Sequence, residues 1–321
     1  MNGRLRQRIL AGSPPAPNDG EGKEVHPVTL LLVALIGGFV TGVVYALAAL
    51  GLVIVYRATR ILNFAHGAMG MVSTYVYGRA LHDAAAPRMS TPLALLLTLV
   101  FAVCLGLAVE RVVIRPLRDA PILTKVIATL ALLTVLQFTA GALFGDANYF
   151  FQGIFPGGVV NIGIEYLPYS SILTVLVTAG LVVLITLFLR RTKLGVALRA
   201  VSNNPDAAGL MGIDVTRVNQ VAWALGSVLA TVAGLLLTPD FGLNTFTLTL
   251  TVIVYSVGAA VFGGFVSFPL TLAGGVLLGV ATTLVRTYAP SSAPGLDYAV
   301  GFGIVIVVLA LRRDLAVGMA L

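Results

Sequence analysis

The sequence predicts an all-α, polytopic membrane protein, a bundle of about eight transmembrane helices. Of its 321 residues 58% are hydrophobic and only 10% are charged, and the mean hydropathy of +0.99 excludes an ordinary water-soluble domain. Apolar stretches long enough to cross a hydrocarbon core of about 30 Å recur along nearly the whole chain. These stretches are continuously apolar rather than alternating, which favours helices over a β-barrel.

Apolar segments follow one another at residues 28–55, 64–81, 92–114, 122–144, 167–189, 218–237, 248–265, 269–286 and 296–311. The second and the seventh of these are weak, so we expect about eight spans, with some of the segments broken or re-entrant. The first is longer than one crossing needs. Gly37, Gly38 and Gly42 within it favour a broken or tilted helix.

The chain divides into one large domain and two tails. Residues 1–26 are rich in proline and in charges of both signs, and we expect them to form a disordered tail. Residues 27–314 form the predicted transmembrane domain, and residues 315–321 form a short C-terminal tail. The net charge of +7 is attributed to Lys and Arg in the loops. It does not indicate nucleic-acid binding, because no basic surface with aromatic residues is evident.

Lys and Arg cluster in two loops, and this asymmetry predicts the orientation because cytoplasmic loops carry an excess of both residues. The clusters are Arg111, Arg115, Arg118 and Lys125, and then Arg190, Arg191, Lys193, Arg199 and Arg217. Neither residue type occurs between Lys125 and Arg190. Both basic loops are therefore predicted to be cytoplasmic, and residues 145–166 external.

The two chain ends give different signals. Arg312 and Arg313 place the C-terminus in the cytoplasm. Arg57 and Arg60 also indicate the cytoplasm, which would leave the basic N-terminal tail outside if the first segment crosses once. The sequence therefore leaves the side of the N-terminus open.

The loop at residues 190–217 carries the signals of a short helix with its own start and stop. Asn204 is a suitable N-cap and Pro205 a suitable first helical residue. Asp206 complements the positive end of the helix dipole, and Gly212 can adopt the left-handed stop. A membrane protein rarely needs such a well-capped helix in a loop unless a partner docks there.

Ala207, Leu210 and Met211 fall at the i, i+3, i+4 spacing of one apolar stripe on this helix. A rod of this kind, about 10 Å long, fits a groove on another protein. The alternative is an amphipathic helix that lies on the lipid headgroups. Against this alternative, the stripe contains no Trp or Phe, and Asp206 and Asp214 would face anionic lipid.

The chain carries no motif for binding and hydrolysing a nucleotide. The pairs Gly263-Gly264 and Gly274-Gly275 are followed by apolar residues and are interpreted as parts of spans. Disulfide and metal patterns are absent from the sequence, and the single cysteine, Cys104, is predicted to be a buried, inert thiol. We therefore expect no metal or cofactor in this chain, and ATP-driven transport would need a separate subunit.

Three polar residues beside or inside apolar segments are candidates for a translocation pathway: Asn63, His66 and Gln137. Polar groups at membrane depth face a pathway or a partner helix because lipid exposure is costly. Each candidate has a structural alternative. Asn63 would cap a helix, His66 would bond a neighbouring carbonyl, and Gln137 would hydrogen-bond another helix.

Four segments resemble the branched-chain amino acid permease family of ABC transporters, in the version that is paired with a second, related permease. They follow one another along the chain at the places that correspond to those of the family. Residues 195–214 resemble its cytoplasmic coupling loop, and residues 56–67 (YRATRILNFAHG) resemble its N-terminal signature. Residues 110–118 (ERVVIRPLR) resemble its first basic loop, and residues 263–275 its C-terminal glycine-rich region. The resemblance covers roughly residues 28–313.

The resemblance implies a membrane-spanning subunit of an importer in the bacterial inner membrane, which receives its solute from an external binding protein. Two cytoplasmic ATPases, which hold ATP and Mg²⁺, would drive the cycle. A second permease, either a different chain or a second copy, would complete the pathway, and membrane lipid would surround it. Leucine, isoleucine or valine is the implied solute, with urea, short amides or another small organic solute as alternatives.

The same resemblance assigns the ATPase-coupling residues, which are Gly195, Arg199, Asn204, Pro205, Asp206, Ala207, Ala208, Leu210, Met211 and Gly212. One departure from the family pattern is visible. Residues 265–269 (FVSFP), expected on the external face, are bulkier than the glycine-rich form usual in the family. This bulk speaks against tight helix contact there.

Two other classes of protein fit the sequence less well. A secondary transporter or channel needs intramembrane charges or ion-coordinating sites, and Asp, Glu, Lys and Arg are nearly absent from the middle of the spans. An enzyme needs a nucleophile with a base or paired acids. His66 has no carboxylate close in sequence, and His26 and His82 flank spans. We therefore expect a transport subunit that is not itself an enzyme.

Overall fold

The computed structural model describes residues 27–82, 89–145, 154–155, 158–161, 166–290, 293 and 295–311. The two predicted tails, most of the predicted external loop 145–166, and His26, Arg312 and Arg313 lie outside the described residues. The predictions that rest on them therefore stay predictions.

Eleven α-helices make up most of the described part of the chain. They are α1 Pro27–Thr59, α2 His66–His82, α3 Thr91–Val109, α4 Ile122–Phe144, α5 Tyr169–Arg191, α6 Lys193–Asn203, α7 Pro205–Leu210, α8 Val215–Phe241, α9 Thr245–Phe262, α10 Phe268–Tyr288 and α11 Leu296–Leu311. A π-helical turn, Glu110–Ile114, and a 3₁₀ turn, Arg115–Leu117, continue α3. Two short antiparallel strands, β1 Val159–Asn161 and β2 Tyr166–Pro168, precede α5.

Seven of the described helices are long and apolar enough to cross a membrane: α1, α3 with its continuation, α4, α5, α8, α9 and α10. The predicted all-α, polytopic fold is confirmed. Helix α2, with 17 residues, and α11, with 16 residues, are shorter. The seventh apolar segment, although weak in sequence, forms the full-length helix α9.

One face of the bundle collects the basic loops. The Arg57 guanidinium lies 5.4 Å from the centre of the Phe268 ring, which joins the end of α1 to the start of α10. Arg60 Nη2 donates a hydrogen bond of 2.6 Å to the Ser202 carbonyl at the end of α6. The turn at residues 265–269 therefore lies on the basic face. Because the basic loops are predicted to be cytoplasmic, the expectation that this turn is external is wrong.

The opposite face is marked by an ion pair between α10 and α11. Arg286 Nη2 lies 2.9 Å from Asp297 Oδ2. Helix α1 has 33 residues and runs once between the two faces. The N-terminal end of α1 therefore lies on the face opposite Arg60, and the side of residues 1–26 stays open because they lie outside the described residues.

The glycines of α1 serve helix packing and do not break the helix. A Cβ atom at Gly38 would lie 2.6 Å from the Cα of Val280, and one at Gly42 would lie 2.7 Å from the Cα of Val276. Both contacts bring the backbone of α1 against α10, as expected for small residues one helical turn apart. Of the two predicted alternatives, the broken helix is wrong, because the first helix is continuous over Pro27–Thr59, and the tilted helix stays a prediction.

The glycine-rich region before and within α10 is tightly packed despite its bulky turn. A Cβ atom at Gly275 would lie 2.7 Å from the Cα of Ala46 in α1. Gly263 and Gly264 lie in the turn after α9, where Gly264 has φ of 58°, and not within a span. The expected loosening at residues 265–269 is wrong, because Phe265 is only 4% exposed and its ring centre lies 4.7 Å from that of Tyr56 in α1.

The centre of the bundle consists of α8, α9 and the second half of α1, with α3, α4 and α5 outside them. Trp223, Tyr45 and Tyr255 are fully buried there. Helix α4 instead turns apolar side chains outward, and Phe138 is 80% exposed. Such an apolar exterior is suited to lipid, because lipid tails are as apolar as the side chains.

Cys104 lies on the exposed face of α3, so the prediction of a buried thiol is wrong. Ala102 and Gly106, two residues to either side, face the bundle instead. A Cβ atom at Gly106 would lie 2.8 Å from the Cα of Ala224, so packing against α8 decides which face of α3 is buried. An apolar neighbourhood in the sequence does not separate a lipid-facing position from a core position.

Candidate functional site

Helix α7 is the capped helix that the sequence predicts, and we name residues 190–217 the coupling segment. Asn204 Oδ1 accepts a hydrogen bond of 3.0 Å from the Ala207 amide, and Pro205 occupies the first turn. Gly212 has φ of 82°, and the Ile213 amide donates to the Ala208 carbonyl at 3.0 Å. These contacts form a Schellman stop, so α7 is fixed at both ends by its own residues.

The apolar stripe of α7 points away from the bundle. Leu210 is 90% exposed, Met211 is 83% exposed, and Ala207 is also exposed. Ala208 faces the other way and is only 5% exposed. A capped helix therefore holds an apolar surface at the basic face, and this arrangement suits insertion into an apolar groove of another protein.

Helix α6 was not identified from the sequence. Thr192 is its N-cap, and its Oγ1 accepts a hydrogen bond of 3.1 Å from the Gly195 amide. Leu198 and Val201 are each 2% exposed and belong to a cluster that also contains Ile185 of α5. The signal was present, because Thr192 precedes apolar residues at helical spacing.

Two contacts attach α6 to the end of α5. Arg199 Nη1 donates a hydrogen bond to the Leu189 carbonyl. A Cβ atom at Gly195 would lie 2.6 Å from the Cα of Leu189, so only glycine permits this approach of the two backbones. Both Gly195 and Arg199, predicted from sequence as coupling residues, therefore hold the segment against the bundle.

Arg60 attaches the coupling segment to α1. The sequence indicated only a cytoplasmic location for this residue and did not predict the attachment. Its side chain bonds the Ser202 carbonyl across 142 positions of sequence. Arg60 itself adopts φ of 56°, a backbone conformation that non-glycine residues rarely adopt. Ala58 of α1 joins the same apolar cluster as Leu198, so polar and apolar contacts act together.

The three candidate pathway residues each have a partner inside the bundle. Asn63 Oδ1 accepts from the Ala65 amide at 3.0 Å, and His66 Nε2 lies 2.9 Å from the Ala48 carbonyl. Asn63 and His66 are fully buried at the start of α2. Gln137 Nε2 donates to the Thr245 carbonyl at 3.2 Å, at the start of α9. The structure brings Asn63 and His66 together and places Gln137 on a different pair of helices.

The apolar helices define a polytopic membrane protein, and the outward-facing α7 on its basic face offers a surface suited to docking a partner protein. The chain belongs to the family described as branched-chain amino acid transport system / permease component, which it matches over residues 34–309.

Relatives from three organisms cover nearly the whole chain. The high-affinity branched-chain amino acid transport system permease protein BraD of Pseudomonas aeruginosa is 30% identical over 88% of this chain and 94% of the relative. The protein LivH of Escherichia coli, described in the same terms, is 30% identical over 87% of this chain and 92% of its own length. The probable permease LivH of Methanocaldococcus jannaschii is 31% identical over 88% and 89%. No solved structure matches the chain.

Proposed function

We propose that this chain is a membrane-spanning permease subunit of an ABC importer of branched-chain amino acids in the bacterial inner membrane. An external binding protein delivers the solute, a second permease shares the pathway, and two cytoplasmic ATPases drive the cycle. The observation that carries the proposal is the exposed apolar stripe of α7, held on the basic face of a protein that belongs to a permease family. The names of the curated relatives support the class of solute.

In this proposal α7 inserts into a groove of an ATPase subunit and moves with that groove when ATP closes the two ATPases. Helix α7 keeps its shape because its caps satisfy the backbone groups at both ends. The movement reaches α5 through Gly195 and Arg199, and it reaches α1 through Arg60. Helix α1 runs through the core, so its displacement changes the packing of the whole bundle and opens the pathway to one side or the other.

The solute needs only weak contacts in the permease. Specificity resides in the binding protein, and an importer must release its cargo. Asn63, His66 and Gln137 remain the proposed pathway residues. Their observed partners are backbone groups and, for Asn63, also the Met69 sulfur at 3.5 Å, so a small rearrangement of neighbouring helices would free them for a solute.

The test is uptake by proteoliposomes that contain the permeases and the ATPases, with the binding protein outside. We expect labelled leucine, isoleucine and valine to accumulate only when ATP and the binding protein are both supplied. Uptake without ATP would instead indicate a channel or a secondary transporter. Accumulation of urea or a short amide without leucine would identify a different solute and refute the proposed cargo.

A further inference from the structure

A polar cavity of about 480 Å³ lies at the basic face, between the bundle and the coupling segment. Its walls come from the end of α1, the turn between α3 and α4, the end of α6 and the starts of α7 and α8. This volume lies within the range of small-molecule sites. None of the coupling or pathway contacts described above needs a cavity here.

A buried carboxyl group lies at the cavity wall. Glu110 is only 2% exposed, and it begins the π-helical turn Glu110–Ile114. The Gln220 side chain hydrogen-bonds this carboxyl group, whereas Glu110 Oε2 has no hydrogen-bond partner among the described residues. Asn219 Oδ1, also at this wall, lacks one too within that part of the chain. Buried acceptors without donors are costly, and π-helical turns are frequent at functional sites.

The rest of the lining provides a cationic rim and an apolar wall. The rim cations are Arg60, Arg115, Arg118 and Lys125. Three of them are exposed, while Lys125 is half-buried. Asp119 and Asp206 are also at the rim. Ile61, Ile114 and Val201 contribute aliphatic surface. One small cavity therefore offers unpaired acceptors, cationic donors and an apolar patch.

We propose that this cavity binds an α-amino acid with an aliphatic side chain from the cytoplasmic side. The ammonium group donates to Glu110 and Asn219, the carboxylate pairs with the rim cations, and the side chain contacts the apolar wall. A simple anion would satisfy the rim but would be repelled by Glu110, and a simple cation would be repelled by the rim. A zwitterion satisfies both. The inference rests on the proposed function, because the imported solute belongs to this class.

The cavity lies between the coupling segment and the transmembrane helices, so a bound ligand would affect the movement between them. Val201, Asp206 and Val215 belong to the coupling segment, whereas Glu110 and Ile61 belong to the transmembrane part. A ligand that contacts both groups restrains their relative movement. Accumulated product therefore slows the transport cycle by holding the coupling segment against the bundle.

The direct test is equilibrium binding of labelled leucine to the detergent-purified permease–ATPase complex, without the binding protein. We expect saturable binding to the wild type and a loss of affinity of about tenfold or more in Glu110→Gln, since a charged hydrogen bond is removed. Asp240→Asn, which neutralises a carboxylate at the opposite end of α8 from Asn219 and outside the cavity lining, is the matched control and should bind leucine almost as the wild type does. The analogue 4-methylpentanoate, which lacks the amino group, and leucine amide, which lacks the carboxylate, should both fail to compete.

The functional test uses proteoliposomes whose cytoplasmic face is outside and whose lumen contains the binding protein and leucine. Leucine added at the cytoplasmic face should lower ATP hydrolysis by the wild type but not by Glu110→Gln, each compared with its own rate without added leucine. Equal leucine affinity in wild type and Glu110→Gln, or competition by 4-methylpentanoate alone, would overturn the site while leaving import intact. Leucine binding that depends on Glu110 without any ATP-driven uptake would refute the proposed function and support the site.

Discussion

The two short helices of the coupling segment use their apolar residues in opposite ways. Helix α6 buries Leu198 and Val201 against α5 and α1, whereas α7 exposes Leu210 and Met211. Only Asn204 separates the two helices, so their different exposure does not arise from lying in distant parts of the structure. It indicates that α6 is the attachment to the bundle and α7 the surface offered to a partner.

Helices α6 and α7 are also stabilised by different interactions. Apolar burial holds α6 in place, at about 25 cal/mol for each Å² removed from water. Helix α7 lacks most of this support, and it depends on its N-cap and its glycine stop instead. Changes that insert charge into α7 should therefore affect partner binding, and changes that disturb α6 should affect attachment to the bundle.

The largest expected effect is that of Ala207→Asp, which places a charge in the exposed stripe of α7. A buried, unpaired carboxylate at the docked surface is strongly unfavourable, so ATPase co-purification should fall and transport should be abolished while the protein stays in the membrane. Gly209→Asp is the matched control, because Gly209 lies outside the stripe and a Cβ atom there would have no neighbour within 4 Å. Intact pull-down and normal uptake with Ala207→Asp would refute docking by α7.

Gly195→Ala comes next and tests the attachment of α6. The added methyl group collides with the Leu189 backbone, so α6 must shift from α5 and transport should drop by about tenfold or more. Gly209→Ala makes the same change in open space on α7, where it should be neutral or slightly stabilising. Thermal unfolding and uptake measure both variants, and equal behaviour of the two would contradict the distinction between the helices.

Arg60→Gln should weaken the connection between α6 and α1 without removing α7 from its partner. We expect ATP hydrolysis to continue while uptake falls several-fold, because the hydrogen bond to the Ser202 carbonyl is lost. The number of solute molecules imported per ATP hydrolysed is the informative quantity. Arg217→Gln, which removes an exposed pair with Asp214, should leave this ratio unchanged. A ratio equal to that of the wild type in Arg60→Gln would show that coupling does not pass through this contact.

Asn204→Ala should have the smallest effect, since it removes one N-cap of α7 and costs about 1 kcal/mol of local helix stability. That loss corresponds to roughly a fivefold weakening of ATPase binding if α7 must be helical to dock. Titration of the ATPase onto the permease measures this change. Asn204→Ser, which retains a capping oxygen, should restore most of the affinity. No change with Asn204→Ala would show that docking itself orders α7.

The features predicted correctly from sequence are those that short segments determine. The caps of α7 lie within residues 204–213, and their hydrogen bonds span at most five positions. The apolar helices are likewise encoded locally, because each must satisfy its own backbone groups in lipid. The predictions that failed concern which face of a helix is buried and which other helix it packs against. Cys104 is exposed, and Gly38 packs against α10, because contacts with distant helices select the buried face.

By itself, the sequence determined the all-α membrane fold, the two basic loops and the capped helix with its apolar stripe. Their causes are hydropathy over about 20 residues and hydrogen bonds within a helical turn. Only the tertiary structure decided that Arg60 holds Ser202, that α6 is the attachment, and that Glu110 and Asn219 line one cavity. These residues are far apart in sequence, and no local pattern fixes such contacts, because they depend on how whole helices pack against one another.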